Sequence, residues 1–78
     1  MNTNKAVSVR IARLLSEKKM TQYRLAKKSG LTHSTLKNIM HNTITDNMLS
    51  TLVLIAKGFD IHVSEFLEDE LFDEGSLT

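Results

Sequence analysis

The chain has 78 residues, 41% of them hydrophobic, with no cysteine, no proline and a formal net charge of +1. That length fits one domain near the lower size at which an apolar core alone suffices. The absence of cysteine excludes disulfides, thiolate chemistry and cysteine zinc sites. The apolar runs are too short to span a membrane, and the basic start lacks a signal-peptide core, so a cytoplasmic protein is expected.

Charge is distributed unevenly along the chain. Residues 1–45 carry nine Lys or Arg against one Glu, a sum of +8, and residues 46–78 carry one Lys against eight Asp or Glu, a sum of −7. A basic half suits a polyanionic partner that the acidic half would repel, although solvated surface is the plainer reading of any charge run.

In chain order, Val7, Ile11, Leu14, Leu15 and Lys18 follow helical spacing and predict a first helix over residues 4–18. Arg10, Arg13 and Lys18 are expected to stay outside it. Residues 21–40, TQYRLAKKSGLTHSTLKNIM, read as two short helices around a tight turn. Thr21 caps the first of the pair, with Met20 and Leu25 at the spacing of a hydrophobic staple. Gly30 supplies the left-handed conformation that ends it. The grammar then repeats with Thr32 as cap and Leu31 and Leu36 around it. Leu25, Ala26, Leu36 and Ile39 can meet between the two helices, and the small Ala26 allows a close crossing.

The second helix of the pair exposes a distinctive face. With Leu36, Ile39 and Met40 turned inward, His33, Ser34, Lys37, Asn38 and His41 lie outward. Those side chains are rich in donors and acceptors and none is acidic, whereas a solvated face more usually mixes Glu with Lys. A surface that approaches base edges and phosphates has this composition, and the pair reads as a DNA-binding helix-turn-helix.

Residues 42–47, NTITDN, form a loop. A fourth helix follows over residues 46–59, burying Met48 or Leu49, Leu52, Ile55, Ala56 and Phe59. Val53 and Leu54 widen its apolar surface beyond one core face; either a second contact surface or the small core takes them up. Ile61 and Phe66 have staple spacing around His62, and Glu65 stands where a capping box would place it. His62 is a poor cap, so the fifth helix should begin weakly. The tail of residues 71–78, with Leu71, Phe72 and Leu77 among acids, either folds back over the fourth or fifth helix or packs on a partner subunit. The fold class expected is all-α: one compact five-helix domain over residues 1–70 and a short acidic tail over 71–78.

The motif resembles the Cro/phage-repressor (C1) type of helix-turn-helix family through Thr21-Gln22, Leu25-Ala26, Gly30, Thr32, Leu36 and Ile39. The resemblance extends over roughly residues 9–67 and implies a repressor-like five-helix DNA-binding domain. It also implies that the fourth helix passes Gly58 and ends near Asp60, against the alternative that Gly58 is the stop. Many members pair an Arg near position 15 with a Glu near position 40. This chain has Leu15 and Met40, and two apolar groups commonly replace such a pair with little loss.

Site residues carry over from the resemblance position by position. Gln22 matches the residue that grips a phosphate and braces the recognition helix. Thr32, Thr35 and the backbone N–H groups at that helix's start are placed for phosphate contact. His33, Ser34, Lys37 and Asn38 match positions that face base edges. His33 and Ser34 depart from the Gln common there, so no relative's operator transfers. Lys27, Lys28 and Asn42 stand either for backbone contacts or for plain surface. Tyr23 either bonds a phosphate through its hydroxyl or packs beside the first helix.

His33 and His41 are eight apart with no suitably spaced acid, and His62 lies in another helix, so no metal site is expected. No phosphate loop, nucleophile constellation or inward carboxylate pair suggests an enzyme, and no cofactor or small-molecule ligand is expected. The expected partner is double-stranded DNA, bound by a repressor working as a homodimer through its fourth helix, fifth helix and tail. The competing reading is a protein-interaction module of antitoxin or anti-repressor type working through the acidic half.

Overall fold

Among the described residues, three in the left-handed region separate successive helices: Lys19 at φ 52°, Gly30 at φ 82° and Asp60 at φ 61°. The computed structural model describes residues 3–41 and 49–73. In it α1 (Thr3–Glu17) turns off at Lys19, α2 (Gln22–Ser29) at Gly30 and α4 (Leu49–Gly58) at Asp60. Between them lies α3 (His33–Met40), and α5 (Val63–Leu67) and a 3-10 turn (Glu70–Phe72) follow. The described residues contain no strand, and the all-helical expectation holds.

The stops are built from paired backbone bonds. At the end of α1, Met20 N–H donates to Leu15 O at 2.9 Å and Lys19 N–H to Ser16 O at 3.3 Å. After α4, Ile61 N–H reaches Ala56 O and Asp60 N–H reaches Lys57 O, each at 3.0 Å. Both are Schellman stops with a side-chain-bearing residue where glycine is usual. Gly58 is the last residue of α4 rather than its stop, which decides between the two endings considered above.

What Gly58 does is allow contact. A Cβ at this position would stand 2.8 Å from Leu25 Cδ1, 3.1 Å from Ser29 Cβ and 3.2 Å from Ser29 N. Helix α2 therefore lies directly on α4, closer than any side chain permits. Around that seat Val7, Ile11 and Leu14 of α1, Leu25 and Ala26 of α2, Leu36 and Ile39 of α3, and Leu52, Ile55 and Ala56 of α4 close one core with Phe59 and Phe66. Leu15, Met20, Leu31, Met40 and Ile61 pack half-buried at its edge. Leu15 and Met40 thus fall at the rim of the core.

Of the two candidates for burial at the start of the fourth helix, Leu49 is 63% exposed at the first described residue of α4, and Met48, like a helix start near residue 46, lies outside the described residues. One expectation needs correcting. Arg10 does not stay outside. Its side chain is 11% exposed, with Nε donating to Phe66 O at 2.9 Å and one terminal nitrogen to Glu65 O at 3.1 Å. The other nitrogen lies 3.4 Å from Asp69 Oδ2, and the guanidinium sits 5.9 Å from the Phe66 ring centroid. A planar fork can satisfy the last carbonyls of α5 and a carboxylate together.

This latch carries the end of the chain. Asp69 also pairs with Arg13 at 3.8 Å and accepts from Leu71 N–H at 2.9 Å, starting the 3-10 turn. Leu71 is buried, and Phe72 is half-buried with its ring 6.1 Å from Phe66. The turn packs on α1, and Leu77 lies outside the described residues. His62 makes no side-chain cap bond, as its residue type suggests, and the Glu65 carboxylate makes no bond back to it.

Gly58→Ala should lower stability by about 1–2 kcal/mol despite alanine's better helix propensity, because both close neighbours belong to packed α2. Chemical denaturation of the two proteins checks it. Arg10→Ala should cost about 2–3 kcal/mol, since its charged bonds reach carbonyls that then lose their partner. Arg10→Lys should recover little of that, measured in the same way, because an ammonium cannot span both carbonyls and the carboxylate.

Candidate nucleic-acid interface

Two side-chain caps and one glycine shape the α2–α3 turn. Thr21, in extended conformation at φ −87° and ψ 159°, accepts from Arg24 N–H at 3.1 Å and starts α2. Gly30 ends it with its N–H bonded to Ala26 O at 3.1 Å. Thr32, at φ −71° and ψ 152°, accepts from Thr35 N–H at 3.0 Å and starts α3. All three roles follow the sequence reading.

Ser29 completes the turn and was not anticipated. Buried at the end of α2, it donates through Oγ to Ala26 O at 3.1 Å and accepts from Leu31 N–H at 3.3 Å. A serine immediately before the terminating glycine was the available signal, because its hydroxyl can serve both backbone groups.

The outward face of α3 is as predicted. His33, Ser34, Lys37, Asn38 and His41 are all exposed, while Leu36 and Ile39 are buried and Met40 half-buried. No acidic residue lies on this helix. Gln22 is half-buried at the first position of α2. Thr32 and Thr35 are joined, Thr32 donating its hydroxyl to Thr35 Oγ1 at 2.8 Å. The Thr32 hydroxyl is therefore engaged inside the motif by both the Thr35 N–H and the Thr35 hydroxyl.

The flanking positions divide. Lys27 is exposed, with Nζ 5.0 Å from the centroid of the Tyr23 ring. Lys28 is tied down: its Nζ is 2.5 Å from Asp60 Oδ2, in the turn after α4. That ammonium, reinforced by Lys18 and Arg24, holds the Asp60 carboxyl below the usual carboxylate range. Tyr23 is outside the core and largely exposed; its ring meets His33 edge-to-face, with centroids 6.2 Å apart and planes at 90°. Asn42 lies outside the described residues.

Among the described residues no three His, Cys, Asp or Glu side chains gather as metal ligands, and no helix is long and apolar enough to cross a membrane. Neither the curated proteins nor the solved structures provide a match to this chain. The family model of the Cro/C1-type HTH DNA-binding domain matches residues 10–71, which takes in all of α2 to α5 and most of α1. With its capped helix pair on a five-helix core, the chain belongs to the Cro/C1-type helix-turn-helix family of DNA-binding domains.

Proposed function

We propose that the protein is a sequence-specific transcriptional repressor that reads double-stranded DNA with α3. One observation carries the reading: a donor-rich, acid-free face on α3, held rigidly by the Thr21 and Thr32 caps and a buried opposite side. His33, Ser34, Lys37 and Asn38 meet base edges in the major groove. Gln22, Thr35 and the first N–H groups of α3 take phosphates, Thr32 mainly shaping that end of the helix. Lys27 supplies a backbone contact, Asn42 a further one, and Lys28 contributes less because Asp60 already holds it. Occupying an operator is enough to exclude other proteins from it, so repression asks nothing more of so small a domain.

One recognition helix covers few base pairs, and two copies about 34–36 Å apart would read successive turns of one duplex face. Leu49, Val53 and Leu54 of α4 are exposed apolar groups suited to pairing two copies, and α5 and the tail are assigned to the same interface. The proposed setting is the cytoplasm, where the chromosome of a cell without a nucleus lies.

Selection of preferred duplexes from a random pool tests the reading, followed by variants at fixed salt. Asn38→Ala should relax preference at one symmetric pair of positions by about 1–3 kcal/mol, the worth of a bidentate amide–adenine contact. Gln22→Ala should weaken all duplexes evenly. Uniform loss for Asn38→Ala would move that residue to the backbone, and no binding by the parent at any salt would end the DNA reading.

Asp60→Asn keeps a residue that tolerates the left-handed turn and releases Lys28. Affinity for all duplexes should rise, most at low salt. Because the folded carboxyl titrates below its unfolded value, the pair contributes stability above the ordinary carboxylate range and loses it as pH falls through the lowered value. The stability difference between parent and Asp60→Asn should therefore shrink below about pH 4. Parallel acid-unfolding curves would contradict it.

A further inference from the structure

Tyr23 is 58% exposed, at the second position of α2, and His33 opens α3. Their edge-to-face contact, 6.2 Å between centroids and 90° between planes, spans the turn of the motif. It is the geometry that aromatic quadrupoles favour. Lys27, one helical turn after Tyr23, places its ammonium 5.0 Å from the same ring centroid, within cation–π range. None of the three belongs to the core cluster, so the arrangement organises surface rather than interior.

His33 needs such a neighbour more than the other groups on its face. It stands at the first position of the helix, with no preceding turn to limit its rotamers. An imidazole also carries its donor and acceptor in one plane, so what it can bond depends on how the ring is turned. Ordering a side chain before a complex forms removes an entropy cost from binding.

We propose that Tyr23 is a positioning residue for base recognition: its ring holds the His33 imidazole in the plane in which it meets the DNA, and so sets sequence preference without touching a base. The role rests on the assignment of α3 as the reading helix. It differs from the phosphate bond open to a tyrosine hydroxyl, because it needs the ring and not the oxygen.

A double-mutant cycle tests it on the selected duplex and on single-base variants of that duplex. Tyr23→Ala should lower affinity for the preferred duplex about two- to tenfold. It should relax preference at the same base pair as His33→Ala, and the double variant should lose no more than His33→Ala alone. Tyr23→Phe should behave as the parent. Unchanged melting temperatures, expected for two exposed positions, confirm that the comparison is between folded proteins. Losses that multiply in the double variant would overturn the proposal while leaving DNA reading by α3 in place. An even loss over all duplexes for Tyr23→Phe would do the same, assigning the hydroxyl to a phosphate. Absence of selective binding by the parent would remove the reading by α3, and this role with it.

Discussion

The contact on which the rest of the molecule depends is the seat of α2 on Gly58. Leu25 and Ser29 come so close to that backbone that a single methyl group would displace them. Leu25 is fully buried among residues of the other helices, and Ser29 holds the turn into α3 through its hydroxyl. The same two residues thus join the support to the reading helix. Moving α2 outward by even part of an ångström would shift the turn, and with it the pose of His33, Ser34, Lys37 and Asn38. Packed interiors pass on displacements of this kind because they contain few voids to absorb them.

Electrostatics follow from how the two halves of the chain are joined. By count the first 45 residues are basic and the remainder acidic. Among the described residues, charged side chains of the two halves pair at two points, Arg10 and Arg13 with Asp69, and Lys28 with Asp60. At least three of the nine cations of the basic half, Arg10, Arg13 and Lys28, therefore already have anionic partners. Arg24, Lys27 and Lys37, on the helix pair itself, are exposed. The charge available to an anionic ligand is smaller than the count implies, and part of it lies on the elements that carry the motif.

The legible parts of the fold were those with a one-residue cause. Thr21, Thr32 and Gly30 have few alternatives in their contexts, and each sits where residue type alone places it. The apolar spacing of α1 to α4 found most of the core, since Val7, Ile11, Leu14, Leu36, Ile39, Leu52, Ile55 and Phe59 are all buried. Lys19 was opaque as a stop because only the surrounding backbone bonds make a left-handed lysine acceptable, and Asp60 was reached only through the family resemblance. Gly58 sent a misleading signal of the same origin: its meaning lies in what approaches it, not in its own dihedral angles. Arg10 and the Tyr23–His33 pair join residues on different helices, and no local pattern encodes such meetings. The face of α3 was legible as a face, whereas which of its groups is held and by what was not.

Residue-resolved amide shifts during titration with a short random-sequence duplex at low salt test the central claim most directly. The account predicts that the affected amides fall at the start of α2 and along residues 32–38, while those of α5 and the 3-10 turn stay in place. Raising salt should reverse the shifts together, because release of counterions from the duplex drives binding without sequence preference. Shifts concentrated on residues 62–73, or none at any salt, would contradict it.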